Sequence, residues 1–142
     1  MKKQIFVNLP VKDLKKSVEF FTSLGYSFNP QFTDENATCM IISDEIYVML
    51  LVEKFFQTFT TKQIADAKKQ VEAIICLSMD SREEVDEIVK KGVSGGAKVT
   101  KTNDHGWMYQ SGFEDLDGHL WEFAYMDTAA LEKMTAADGK LA

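Results

Sequence analysis

The first apolar stretch, Ile5 to Val11, alternates. Val7, Leu9 and Val11 fall on one side and the more mixed Phe6, Asn8 and Pro10 on the other, which is the period of a half-buried β-strand. The period then changes. Leu14, Val18, Phe21 and Leu24 recur at helical spacing, Asp13 stands at the capping position before them, and Gly25 suits the left-handed residue that ends a helix. Strands are predicted near 26–32, 37–43 and 46–53, separated by the turn formers Asp34-Glu35-Asn36 and Ser43-Asp44-Glu45. The first half therefore reads β-α-β-β-β.

The same order returns in the second half. Ala73 to Met79 is an apolar strand, Ser81 and Glu84 form a capping box, and Val85, Ile88 and Val89 are the buried stripe of a helix that Gly92 is expected to end. Strands near 97–101, 107–114 and 119–125 follow, with Asp117-Gly118 as the last tight turn. Asp13 and Gly25 stand as far apart as Asp80 and Gly92, and Asp44-Glu45 takes the place of Asp117-Gly118, so the pattern is that of an internal duplication. The expected organisation is one domain: a module over about 4–53, a connector over 54–72, a second module over 73–126 and an Ala-rich tail over 127–142 with a helical turn around 129–134. In the connector, Phe55-Phe56-Gln57-Thr58-Phe59 precedes a capping box, Thr60 with Gln63, and a short helix with Ile64, Ala67 and Val71 on one face. Its apolar run reads either as a packed connector or as a lid or dimer contact.

Composition narrows the function classes. A chain of 142 residues supports its own core without a disulfide or metal staple. Sixteen basic against 22 acidic residues leave a net charge of -6, which disfavours nucleic acid and anionic membrane surfaces as partners. The apolar segment after Lys2-Lys3 is broken at Asn8, Pro10 and Lys12, too early for a secretory signal, and no stretch reaches the roughly 20 apolar residues of a membrane helix. Cys39 and Cys76 lack metal or redox spacing and lie in apolar surroundings, so buried, reduced thiols in a cytoplasmic protein are expected.

Two segments carry a resemblance. The run Val11-Lys12-Asp13-Leu14-Lys15-Lys16-Ser17-Val18-Glu19-Phe20-Phe21-Thr22-Ser23-Leu24-Gly25-Tyr26 is similar to the V-x-D-L-x-x-S-x-x-F-Y-x-x-L-G-F segment of the vicinal oxygen chelate superfamily. Phe113-Glu114-Asp115-Leu116-Asp117-Gly118-His119-Leu120-Trp121-Glu122-Phe123 resembles its closing motif, F-x-D-P-D-G-x-x-x-E-[LF]. The superfamily includes glyoxalase I, extradiol dioxygenases, fosfomycin-resistance enzymes and bleomycin-binding proteins, and the resemblance covers about residues 4–126. It implies an α+β fold of two tandem β-α-β-β-β modules forming a curved mixed sheet around a central trough.

Catalytic members hold a divalent metal in that trough with ligands from the first and last strand of each module. The matching positions here are Phe6, Met49, Ile74 and Glu122, and only Glu122 is a metal ligand by chemistry. His119, three residues before Glu122, points to the opposite face of an extended strand, and His105 sits in a turn. No metal or other cofactor is therefore expected. Strand parity instead places Phe6, Asn8, Tyr47, Met49, Leu51, Ile74, Cys76, Ser78, Leu120, Glu122 and Ala124 on the trough, with Trp121, Phe123 and Tyr125 beneath the helices. Trp107 and Tyr109 border it as stacking surfaces for a planar ligand, with Gln110 or Ser111 fixing its orientation, or they are ordinary strand aromatics. Phe6, Met49 and Ile74 either line a pocket or close the former site into core.

The leading expectation is a homodimeric, glyoxalase/bleomycin resistance-like protein that binds a small organic molecule in an apolar trough without metal. Three alternatives stay open. One is a metal-dependent glyoxalase-like lyase or isomerase, or a dioxygenase. Another is metal-free catalysis in which Glu122 shuttles a proton, and the third is a partner-binding domain using Phe55, Phe56 and Phe59. Cys76 lacks a neighbouring base and is not a candidate nucleophile.

Overall fold

A computed structural model describes residues 1–138. Its residues divide into two compact units, Met1–Asp66 and the chain from Ala67 onward. Each unit holds one β-α-β-β-β module.

In the first unit, β1 (Ile5–Val11) leads to α1 (Leu14–Ser23), then β2 (Ser27–Asn29), β3 (Ala37–Ile41) and β4 (Ile46–Val52). The sheet order is β1-β4-β3-β2, with β1 parallel to β4 and the other pairs antiparallel. Asp13 caps α1 by accepting from Lys16 N at 3.1 Å, and Gly25 takes the positive φ that the chain needs to leave the helix. The buried side of α1 is Ser17, Phe20 and Phe21, with Leu24 just beyond it, while Leu14 and Val18 are only half-buried. The helical period read from the sequence is correct, and its apolar centre lies about one position further round. Val11, Val48, Leu50, Met40 and Thr38 are fully buried on the same side of the sheet, and the stiff β-branched and long apolar chains there form the core of this unit. The strand expected to reach residue 32 stops at Asn29, because Pro30 cannot donate to a ladder and instead opens a 3-10 turn over Pro30–Phe32 capped by Asn29.

The second unit repeats the order with one short strand added, β7: β5 (Ile74–Ser78), α3 (Arg82–Ser94), β6 (Lys98–Val99), β7 (Asn103–Asp104), β8 (Met108–Glu114) and β9 (Leu120–Met126). The order is β5-β9-β8-β6, with β5 parallel to β9 and β7 paired to β8. Ser81 and Glu84 cap the helix as expected, with the return bond set one residue back: Glu84 N donates to Ser81 Oγ at 3.1 Å, and Asp80 N, just before the cap, donates to Glu84 Oε2 at 2.9 Å. Gly92 does not end α3. It lies inside the helix, where the ring of Phe113 packs so closely that an added Cβ would come within 2.5 Å of it, and Gly96 supplies the positive φ instead. A last helix, α4, spans Thr128–Asp138.

The connector differs most from expectation. It contains α2 (Glu53–Phe56) and a 3-10 turn over Gln57–Phe59, but no helix over 64–71. The Gln57 amide donates to Thr60 O and Lys62 O at 3.0 and 2.8 Å, and Thr60 Oγ1 accepts from Lys62 N. The backbone at Ala67 and Lys68 lies against Gly118, where a Cβ would fall 2.6 Å from Lys68 N. Tying down both ends of the segment outweighs its weak helical pattern. Among the described residues no helix is long and apolar enough to cross a membrane.

Candidate functional site

Register defines two faces in each sheet, since residues directly opposite one another share a face. In the second unit, Phe113 packs on Gly92 of α3, and Phe113 is opposite Trp121. Phe113, Trp121 and Phe123 therefore face the helix, and all three are at most 1% exposed. The other face carries Ile74, Cys76 and Ser78 on β5, Leu120, Glu122 and Ala124 on β9, and Met108, Gln110, Gly112 and Glu114 on β8, with Lys98 of β6 opposite Glu114. Glu122 lies between Cys76 and Gly112 in register and is half-buried. Its carboxylate makes no hydrogen bond or ion pair among the described residues.

The first unit presents a comparable face away from α1. Phe6 is opposite Tyr47, Asn8 opposite Met49, and Cys39 opposite Met49 on its other side. The Phe6 and Tyr47 rings stack at 4.9 Å with an interplanar angle of 12°, and Phe6 remains 48% exposed. Ile74 in the second unit is likewise 52% exposed. Neither residue has been closed into core.

Of the two aromatic residues expected at the border, one lies on the helix side. Tyr109 belongs to the helix side of β8: its hydroxyl donates to Asp86 on α3, and the Arg82 guanidinium sits 4.9 Å above its ring. Trp107 precedes β8, and its ring stacks on His105 at 6.3 Å. Parity across the Asp117-Gly118 turn was the available signal, because it pairs Phe113 with Trp121 and so sends Tyr109 and Ser111 to the buried face and Met108 and Gln110 to the open one. Cys76 is also corrected. It is exposed, whereas Cys39 is buried as expected, and both are free thiols.

Electrostatics give these groups different capacities. Cys76 is exposed yet loses part of its water to the surrounding sheet, and this partial desolvation, with the charge of Glu122 second, pushes its thiol above its usual value, so it stays protonated and weakly nucleophilic near neutrality. The neighbouring surface holds Arg82 in a two-pronged pair with Asp104, at 2.7 and 3.1 Å, and this hydrogen bonding is the main cause of the Asp104 carboxyl being held down at about 2. The turn into β9 is organised by Asp115. Its Oδ1 accepts from Asp117 N and His119 N, and its Oδ2 from the Trp121 indole, each at 2.9 Å. Burial raises the Asp115 carboxyl despite these donors and the nearby His119. A separate shallow depression of about 600 Å³ on the connector, lined by Glu53, Lys54, Gln57, Thr58, Gln63 and Ile64, includes none of the predicted site residues.

Similarity to known proteins agrees with this architecture. The family model described as bleomycin resistance protein-like N-terminal matches residues 3–43. The hypothetical protein SA1046 from S. aureus is 31% identical, with 88% of this chain and 95% of that one aligned at a TM-score of 0.74. The chain belongs to the vicinal oxygen chelate superfamily. Among superfamily structures sharing the fold, a glyoxalase/bleomycin resistance protein/dioxygenase family enzyme from Burkholderia phytofirmans PsJN aligns over 88% of this chain and 99% of its own, at 13% identity and a TM-score of 0.73. The fosfomycin resistance protein FosX from Listeria monocytogenes aligns over 92% and 98%, at 18% identity and a TM-score of 0.65. A comparison with curated proteins finds no match.

The resemblance assigns the ligands of a divalent metal to four positions on the opening and closing strands of the two modules. Of the four positions, Phe6 and Ile74 present hydrocarbon, Met49 a thioether, and Glu122 a single carboxylate. Among the described residues no three His, Cys, Asp or Glu side chains are disposed to hold an ion.

Proposed function

We propose that the protein binds a small organic molecule without a metal, in the manner its bleomycin resistance-like family suggests, and works as a homodimer in the cytoplasm. One observation carries this reading. At the positions where the superfamily grips an ion, three side chains are apolar, and two of them, Phe6 and Ile74, remain about half exposed on sheet faces away from the helices. Exposed apolar side chains with few polar groups among them suit an organic ligand, and Asn8, Gln110 and Glu122 supply the polar contacts that orient one. The free thiols of Cys39 and Cys76 suit a reducing compartment.

Two measurements test the proposal together. Protein purified without chelator is analysed for metals, and the same preparation is screened by thermal shift against planar amphipathic compounds. A ligand at about 100-fold its Kd stabilises by about 2.7 kcal/mol, a Tm rise on the order of 8 °C for a chain of this size. The expected result is such a shift with no stoichiometric transition metal. A near-stoichiometric transition ion overturns the metal-free reading, and a flat screen overturns ligand binding. Sedimentation equilibrium checks the dimer.

A further inference from the structure

The charges carried by the strands are few and nearly all matched. Lys98 on β6 is the only basic residue on any strand among the described residues, and it stands opposite Glu114. Asp104 on β7 is paired with Arg82. Glu122 is left as the one strand charge with no counter-charge opposite it in register and no ion pair. It shares its face with the Lys98–Glu114 pair, which lies toward the β6 edge, and its immediate neighbours there are uncharged: Cys76 on β5, Gly112 on β8, and Leu120 and Ala124 along β9. The effect of its negative charge is felt at the Cys76 thiol, so the carboxylate acts across this face.

A half-buried carboxylate without a protein partner is costly, and the favourable way to satisfy it is with a charge brought by the ligand. An anionic ligand would meet repulsion from Glu122 and would find no Lys or Arg on the strands flanking it. A neutral ligand would leave the carboxylate desolvated and unpaired. We infer that the ligand is a lipophilic organic cation, its apolar or aromatic body lying on the sheet face around Ile74 and Leu120 and its positive centre against Glu122. This inference rests on the small-molecule-binding reading above and narrows it to one chemical class.

A matched set of naphthalenes separates the two ideas: 2-naphthylmethyl-trimethylammonium, 2-naphthylmethanol and 2-naphthylmethanesulfonate, titrated calorimetrically into the full chain and into Glu122→Gln. The quaternary cation cannot donate a hydrogen bond, so its preference reads charge alone. The expected result is that the wild type binds the cation about tenfold more tightly than the alcohol and does not take the sulfonate. The preference should shrink at high salt and vanish in Glu122→Gln, which should still bind the alcohol. Equal or better binding of the alcohol or the sulfonate by the wild type overturns the inference and leaves ligand binding intact. A cation preference that survives in Glu122→Gln also overturns it. Failure of all three compounds to bind either protein overturns both the inference and the reading beneath it. Circular dichroism and the Tm of Glu122→Gln verify that the variant is folded.

Discussion

Asp115 is the most heavily used side chain near the candidate site, and removing it gives a quantitative test of how β9 is held. The residue is 8% exposed and its carboxylate takes three hydrogen bonds, two from turn amides and one from the indole of Trp121, which is itself 1% exposed. Asp115→Ala strands all three donors. The amides of Asp117 and His119 belong to half-buried residues and regain some water, but the Trp121 Nε1 cannot. At about 1–3 kcal/mol for a buried unsatisfied group, with hydrogen bonds to a charged acceptor at the upper end, the expected loss is about 3–5 kcal/mol. Asp115→Asn keeps one oxygen for the two amides but turns an NH₂ toward the indole N–H, and about 1–3 kcal/mol is expected. Urea unfolding followed by tryptophan fluorescence reads these as midpoint shifts; the alanine variant should move by about 2 M. The pH dependence has a definite sign. Because burial lifts the folded-state carboxyl above its unfolded value, its protonation favours the native state. That contribution is complete below the ordinary Asp pKa and is lost as pH rises through the lifted one. The advantage of wild type over Asp115→Asn should therefore be greatest in acid and shrink across that window. An alanine variant destabilised by less than about 1 kcal/mol would refute the account of the turn.

Three further outcomes follow from the structure. Gly112→Ala drives a Cβ into the Trp121 carbonyl oxygen, a backbone atom in a central pair that cannot yield, and should cost about 3 kcal/mol or more or abolish folding, checked by urea unfolding. Glu122→Gln removes a negative charge that helps raise the Cys76 thiol, so the thiol pKa should fall and iodoacetamide should alkylate it faster near neutrality; an unchanged pH-rate profile would contradict the adjacency of the two residues. In Arg82→Ala the Asp104 carboxyl should climb from about 2 toward its ordinary value, followed by NMR titration. The wild-type pair should favour folding above the unfolded carboxylate pKa and lose that contribution as pH falls toward 2.

The duplicated module was legible because its signals are local. Asp13, Ser81 with Glu84, and Asp117-Gly118 each mark a boundary through chemistry that acts within four residues, and the structure uses every one of them. Face assignment on β1, β4, β5 and β9 was equally readable from alternation. Gly92 misled because a glycine near a helix end can serve a ring packed against it as well as a reversal of the chain, and only tertiary contact with Phe113 tells the two apart. Tyr109 misled because an amphipathic aromatic suits either face, and its destination was decided by Asp86 and Arg82 on a different element. The connector helix failed for the same kind of reason: three weakly periodic residues lost to the hydrogen bonds of Gln57 and the approach of the chain to Gly118.

Among the described residues the opening strand of each unit has one neighbour, and that neighbour is the module's last strand to be made: β1 bonds to β4 alone, and β5 to β9 alone. On a ribosome, the first strand of each module must wait with bare amides and carbonyls until its closing strand emerges, so each half matures late and all at once. Nascent chains halted just before Ile46 or just before Leu120 should thus be the most vulnerable to proteases and the most in need of chaperone shelter.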